Sequence, residues 1–480
     1  IAVVGDGALT GGMCYEALND CGNTKTRLIV LLNDNEMSIA QNVGALSQHL
    51  SSLRASHGWN TTKSHVKKVL GKIPLVGKPV YRCMHGLSTM IKSVTISEGF
   101  FPALGFRYLG PINGNDQESV EGILRQAERL DEPVVIHCIT KKGYGFNRAE
   151  KNAERFHGTP PFYLDEERPS ALSGKGNGEI ATEELLKLAK NDQRIQFITA
   201  AMPLGTGTTA FRDTYPARYF DVGIAEEHGV TMCAGMAAGG LKPYFFVYST
   251  FLQRGYDQIV HDIALQRLPV VLCIDRAGLS QGDGATHHGI FDVSFLSAIP
   301  NMTLYAPATF AGLEVAFRMA IASGVPSAIR YPNRPEDARV RSVFYPDGTP
   351  QTVGVRADYA PGERPDAVIL CHGAMATEAL TAKDMLAAEG VRVGILLCEY
   401  LLKPYDRLAG EVAACLPPDV PILFAEEEIR AGGFGMMLAD ALCRRGELKD
   451  RRFDILAVDD SFVLQFVPEP VRRTAGVDAV

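Results

Sequence analysis

The sequence predicts an α/β protein made of three doubly wound, mostly parallel-sheet domains, and three observations carry that prediction. Short β-branched runs alternate with helical patterns along almost the whole chain, the pattern produced when helices cover both faces of a parallel sheet. The length of 480 residues provides for about three domains at the usual ~150 residues each. Two turn-rich breaks interrupt the alternation, the Gly- and Ser-rich segment Pro169 to Gly178 and the stretch Pro346 to Pro365. We delimit the domains as residues 1–176, 177–352 and 353–480.

In the first block, strands are expected at Ile1 to Val4, Arg27 to Leu32, Arg107 to Leu109 and Val134 to Ile139, with helices at Met13 to Asn19 and Gln117 to Leu130. Between Gly44 and Gly99 the pattern lapses into a polar stretch, and an insertion of that length is read as a functional lid or arm. The second block opens with a helix at Thr182 to Lys190. Its strands are expected near Phe197 and at Tyr244 to Val247, Val270 to Ile274, Thr303 to Tyr305 and Ala328 to Tyr331. The third carries strands at Ala367 to Cys371, Val391 to Leu397, Ile422 to Ala425 and Ile455 to Val458.

Composition narrows the function classes. Hydrophobic residues make up 46% and charged residues 21% of the chain, which is ordinary globular material and excludes disorder. The net charge of −7 and the lack of any basic run longer than a pair argue against nucleic acid as a partner. Apolar runs stop within about eight residues, short of the ~20 a membrane span needs. The ten cysteines are scattered singly with no CxxC, so a reducing, cytoplasmic setting without structural zinc is expected. Residue 1 is Ile and the chain opens in mid-strand, so we read the sequence as a fragment.

The strongest chemical signal lies at the start. The first strand delivers Gly5-Asp6-Gly7 to its carboxyl end, and the next delivers Asn33-Asp34-Asn35-Glu36-Met37 to its own. Open α/β sheets bind ligands at the carboxyl ends of neighbouring strands. Glycines let backbone approach a phosphate, while Asp and Asn oxygens are hard ligands suited to Mg²⁺, which completes its octahedron with substrate or cofactor phosphates. A second constellation is Asp221-Val222-Gly223-Ile224-Ala225-Glu226-Glu227-His228, entering a helix of small residues. A carboxylate beside Ile224 and Ala225 is poorly solvated, which raises its pKa and lets it share a proton with a ring nitrogen. Position alone does not separate Glu226 from Glu227.

The strings GDGALTGGMCYEALND and LLNDNEMSIAQNVGALSQHL resemble the thiamine-diphosphate signature of the transketolase-like enzymes, and in particular the 1-deoxy-D-xylulose-5-phosphate synthase family. The resemblance spans nearly the whole chain, including Ala425-Glu426-Glu427-Glu428 and Gly432-Gly433-Phe434-Gly435 in a third domain given to assembly. It implies thiamine diphosphate and Mg²⁺ as cofactors, with Asp6, the Asn35 side chain and the Met37 carbonyl as metal ligands and Gly7 and Ala8 against the diphosphate. It assigns to Glu226 the aminopyrimidine, whose imino form removes the thiazolium proton. The implied reaction joins pyruvate to glyceraldehyde 3-phosphate with loss of carbon dioxide, in a homodimer. The alternatives are another transketolase-like thiamine enzyme, or a non-catalytic fragment or scaffold.

Further residues gain roles the same way. Tyr248 and Phe251 read as core on spacing alone, but the resemblance packs them around the aminopyrimidine and brings Arg254 near the substrate. Arg276, at a strand's carboxyl end beside a Gly-rich loop, suits a phosphate dianion; the resemblance has it grip the acceptor phosphate while Asp283 and His287 face the acceptor's hydroxyls. Lys142 suits a diphosphate and His157 acid–base work, roles the family shares. Phe146 stands where the family commonly has a cofactor-side Tyr. The family's Tyr-Pro-Arg-Gly reads here Tyr331-Pro332-Asn333-Arg334, so Arg334, one step late, either swings back to the phosphate or leaves its affinity reduced. Finally, Gly205 to Ala210 (GTGTTA) fits a dinucleotide fingerprint, but Pro216 breaks the helix that such a site needs.

Overall fold

The computed structural model describes residues 1–37, 42–53, 99–154, 156–157, 175–280, 284–348, 351–401, 405–464 and 468–479. The expected arm over 54–98, the linker over 169–174 and Asp283 lie outside them. By its internal contacts the chain divides into two compact units, Ile1–Thr159 with Val222–Ala225, and Pro160–Asp221 with Glu226–Val480.

The first unit holds a four-stranded sheet of β1 (Ala2–Gly5), β2 (Ile29–Asp34), β3 (Arg107–Asn113) and β4 (Val134–Ile139), in the order β1-β2-β4-β3. All its pairings are parallel. Val134, Val135 and Ile136 on β4 are completely buried, as expected of a strand covered on both faces. Helices Gly12–Thr24 and Gln117–Ala127 extend the sequence-predicted ones by a turn or end slightly short of them.

The second unit holds two sheets. One is six-stranded and wholly parallel, from β5 (Ile195–Thr199), β6 (Tyr219–Asp221), β7 (Lys242–Tyr248), β8 (Val271–Asp275), β9 (Thr303–Tyr305) and β10 (Ser327–Arg330), in the order β6-β5-β7-β8-β10-β9. The other contains β11 (Val355–Ala357), β12 (Ala367–Cys371), β13 (Val393–Cys398), β14 (Ile422–Ile429) and β15 (Phe453–Val458), in the order β11-β13-β12-β14-β15, with only β11 antiparallel.

The consecutive carboxylates at the end of β14 tie these two sheets together. Glu426 accepts the backbone N–H groups of Phe434 and Gly435 at 2.7 and 2.9 Å, capping the helix Phe434–Arg444. A Cβ on Gly433 or Gly435 would come within about 3 Å of that carboxylate, which explains the Gly-Gly-Phe-Gly string. Glu427 receives Arg334 at 3.0 Å, Arg472 at 2.7 Å and the backbone N–H of Leu279 at 3.3 Å. Glu428 pairs with Arg330 of β10 and with His372, whose Nε2 is 3.2 Å away. Arg330 also meets Asp292 at 3.1 and 3.2 Å. Burial alone raises the Glu428 carboxyl, but the Arg330 charge and then His372 outweigh it and hold it down at about 2.

His372, Glu426 and Glu428 come within 4.8 Å of one another, with Arg330 and the helix N-terminus already engaging the two carboxylates. Removing one partner from a buried ionic network strands the others. Arg330→Met, which leaves Asp292 and Glu428 buried without their cation, is expected to cost about 3–5 kcal/mol, read as a lowered urea midpoint at constant slope.

No disulfide joins the described cysteines to one another, and no described helix is long and apolar enough to cross a membrane.

Candidate active site

In the first unit the sheet brings Asp6 and the Asn33–Met37 turn together. Neighbouring β1 and β2 run parallel with Gly5 paired to Asn33, so both chains leave the sheet at the same end. The Asp6 N–H then donates to Asn33 O at 3.1 Å. Asp6 is 3% exposed, and its Oδ2 accepts the Glu36 N–H at 2.7 Å. Asn35 Oδ1 accepts the Met37 N–H at 3.0 Å, closing the turn on itself. Glu36 sits in the left-handed region with φ 68°, a conformation costing a non-glycine residue on the order of 1–2 kcal/mol. Its N–H, bonded to Asp6 Oδ2, holds it there.

Asp6 has an oxygen to spare. Its Oδ1 is buried with no hydrogen-bond partner among the described residues, although the Asp34 carboxylate lies close enough to act on it. Burial first, then the adjoining Asp34 carboxylate, raise the Asp6 carboxyl to about 7 against the pull of the Glu36 and Gly7 N–H groups. Two neighbouring carboxylates with an unsatisfied buried oxygen are a donor set that fits a hard cation. Gly7 and Ala8 follow as the start of a 3₁₀ turn, Ala8–Thr10, where Thr10 Oγ1 donates to Gly7 O.

Lys142 follows β4. Burial lowers its ammonium, while the charges of Asp6 and Glu154 pull it back up, so it lies within electrostatic reach of the Asp6 carboxylate. Phe146 packs edge-on against Phe156 at 5.7 Å, with the exposed His157 next in the chain.

In the second unit Glu226 begins the helix Glu226–Ala238 and is 3% exposed, whereas Glu227 is 35% exposed at its side chain. That difference separates the two carboxylates where position could not. Arg254 Nε lies 3.2 Å from Glu226 Oε2, an ion contact without hydrogen-bond alignment, and its Nη2 is 3.4 Å from Glu227. Gly255 makes this approach possible, since a Cβ there would meet Val230 at 2.8 Å. Burial raises the Glu226 carboxyl, with Arg254 opposing and Glu227 adding to the rise.

Tyr248, Phe251 and Arg254 follow one another at three-residue steps through the helical turns after β7, which puts them along one side. Tyr248 and Phe251 stack at 5.5 Å, and His287 stands edge-on to Phe251 at 5.3 Å. The Arg276 guanidinium lies over the Tyr248 ring, 3.7 Å from its centroid, and donates to Gly205 O at 3.0 Å and Asp275 at 3.2 Å. Two pairs singled out in different segments of the sequence, Tyr248 with Phe251 and Arg276 with His287, thus form one cluster. The neighbouring His288 is buried, its Nδ1 accepting the Ser280 N–H.

Arg334 points to Glu427, while Asn177 binds its carbonyl at 2.8 Å. The GTGTTA segment is a packing turn. A Cβ on Gly205 would strike the Tyr248 hydroxyl, Gly207 has φ 68° against Glu179, and the helix that follows, Thr209–Thr214, is only six residues long. Sequence reading passed over Asp34, His137 and Tyr108 in the first unit. His137 Nε2 is 2.7 Å from Asp34 Oδ2, and its Nδ1 is 2.7 Å from the Tyr108 hydroxyl. The one signal available was a histidine inside an otherwise apolar strand.

Parallel sheets with acidic and amide groups at their strand tips, and a match of residues 176–335 to the transketolase pyrimidine-binding domain, define a transketolase-like enzyme. A split-gene transketolase in an inactive beta4 tetramer shares 25% identity over 64% of this chain and 95% of its own, with a TM-score of 0.53. Transketolase from Pichia stipitis has the same fold at 16% identity, with a TM-score of 0.50 over 99% of this chain and 74% of its own.

Residues 1–140 match the family described as 1-deoxy-D-xylulose-5-phosphate synthase. Synthases of that name from Clostridium perfringens and Carboxydothermus hydrogenoformans are 42% and 41% identical over 100% and 93% of this chain, covering 76% and 70% of their own lengths. The chain belongs to the 1-deoxy-D-xylulose-5-phosphate synthase family.

Proposed function

We propose that the protein condenses pyruvate with D-glyceraldehyde 3-phosphate to give 1-deoxy-D-xylulose 5-phosphate and carbon dioxide, using thiamine diphosphate and Mg²⁺. The observation that carries the reading is the buried, unsatisfied Oδ1 of Asp6 beside the Asn33–Met37 turn, in a chain whose relatives bear the synthase name. Thiamine diphosphate, when bound, supplies a nucleophilic carbon that takes up the two carbons left when pyruvate loses carbon dioxide.

The chain's own residues supply the rest. Asp6, Asn35 Oδ1 and the Met37 carbonyl would hold the cation, Gly7 and Ala8 would lie against the diphosphate, and Lys142 would offset its charge. Burial disfavours the charged form of Glu226 and raises its carboxyl, and in this reading it would share a proton with the aminopyrimidine. Tyr248, Phe251 and Phe146 would pack against the cofactor. Arg276 would bind the acceptor phosphate, with His287 and Asp283 at its hydroxyls and Arg254 by the substrate. Arg334, which the sequence offers as a second phosphate ligand, is paired with Glu427, as Arg276 is with Asp275; Arg276, over the Tyr248 ring, would be the main phosphate ligand. His157 would serve as an acid or base. In this reading residues 1–176 bind the diphosphate, 177–352 the pyrimidine and substrate, and 353–480 serve assembly of a cytoplasmic homodimer.

Arg254 links electrostatics to pH. Its positive charge lowers the Glu226 carboxyl, so Arg254→Met lets that pKa rise further. Since the protonated form is the working one, the alkaline limb of the kcat profile is expected to move to higher pH, with KM for the acceptor raised. A limb that stays or moves down contradicts the assignment.

Calorimetric titration with thiamine diphosphate tests the whole reading. Heat of binding that requires Mg²⁺ is expected; no heat with Mg²⁺ present would identify a scaffold that takes no cofactor.

A further inference from the structure

The chain of the half-buried Tyr108 and the buried His137 and Asp34 has no part in the function proposed above, and its position gives it one. Asp34 ends β2, and His137 lies on adjacent β4, paired in register with Leu32. Asp34 and His137 are both 0% exposed. An ionised carboxylate only accepts hydrogen bonds, so the network assigns the His137 Nε2 proton to the 2.7 Å contact with Asp34 Oδ2. Nδ1 is then an acceptor and takes the Tyr108 O–H at 2.7 Å. Tyr108 is held in turn by stacking on Phe101 at 6.0 Å. Gly110 lets β3 press against this point, since a Cβ there would come 2.7 Å from the His137 carbonyl.

The other oxygen of Asp34 faces the proposed cation site. Asp34 Oδ1 lies 3.4 Å from the Glu36 N–H that Asp6 Oδ2 accepts at 2.7 Å. One N–H is therefore shared by two carboxylates, and it belongs to the left-handed residue between Asn35 and Met37. A polar pair in the middle of a sheet costs desolvation, and apolar residues of similar volume commonly serve stability as well or better. Its placement behind a strained turn is an arrangement suited to aiming ligands, as hydrogen-bonded partners do behind metal sites.

We propose that Tyr108 and His137 are positioning residues that lock Asp34 and so hold the Asn35–Met37 turn in the conformation that receives Mg²⁺ and the diphosphate. The inference rests on the cation site proposed above, and the test separates the two. The Mg²⁺ affinity of the full chain with saturating thiamine diphosphate is measured by calorimetry for the wild type, Tyr108→Phe, His137→Leu, His137→Gln and Asp6→Ala, each well below its own melting temperature.

His137→Leu is expected to weaken Mg²⁺ about 10–100-fold and Tyr108→Phe several-fold. His137→Gln, which keeps an N–H toward Asp34, should recover most of the affinity. That recovery is not expected of a residue that only fills the core. The proposal is overturned if His137→Leu, or Tyr108→Phe should the former not fold, binds Mg²⁺ within two-fold of wild type while Asp6→Ala has lost it. If Asp6→Ala also binds normally, the cation site itself is wrong and the inference falls with it.

Discussion

Glu226→Gln is expected to lower turnover by about 10³-fold or more while leaving thiamine diphosphate affinity within a factor of two. The substitution keeps the size and burial of the side chain but removes the carboxyl whose protonated form burial favours. General acid–base groups contribute typically 10²–10⁴-fold, and 10³-fold corresponds to about 4 kcal/mol of barrier. Nothing in the change touches the residues proposed to hold the cation and the diphosphate, Asp6, Gly7, Ala8 and the Asn33–Met37 turn. Glu227→Gln is the control, since that carboxylate is far more exposed and should lose little. Single-turnover kinetics with cofactor titration check both, and near-normal rates in Glu226→Gln would refute the assignment.

Asp6→Ala is expected to have the opposite profile. It deletes the buried oxygen for which the described residues offer no donor, so Mg²⁺-dependent cofactor binding should fall by on the order of 10²-fold or more, the upper end of what even outer partners of metal sites cost. It also removes the nearer acceptor of the Glu36 N–H, leaving that N–H to Asp34 Oδ1 at 3.4 Å. Because Asp6 and Asp34 repel one another, the cofactor-free protein should not lose stability in proportion. Loss of binding with little change in the urea midpoint is the expected signature; unchanged binding at limiting Mg²⁺ would show that the cation ligands lie elsewhere.

What the sequence disclosed was mostly local. Buried parallel strands are near-continuous apolar runs, so β4, β8 and β12 were legible, and so were Asp6 and Asn35, each delivered to a strand end by its own neighbours. The half-buried three-residue strand β11 offered no apolar run to read. Tyr108 and Asp34 meet His137 across 29 and 103 positions, and no spacing rule connects residues that only a sheet brings together.

The Glu426-Glu427-Glu428 run was visible as a string, but its meaning depends on three arginines, Arg330, Arg334 and Arg472, from other parts of the second unit. Arg334 shows the limit most clearly. Its offset by one position was visible as letters, and yet the fact that Glu427 holds its guanidinium became apparent only in three dimensions. Glu226 was likewise only weakly preferred to Glu227 from the letters, and burial separates the two.

The most direct measurement is carbon dioxide release from labelled pyruvate by the chain with thiamine diphosphate and Mg²⁺, with and without D-glyceraldehyde 3-phosphate. The account predicts release that the acceptor accelerates strongly, with the label appearing in 1-deoxy-D-xylulose 5-phosphate. Absence of release in the presence of bound cofactor, or release indifferent to the acceptor, would contradict it.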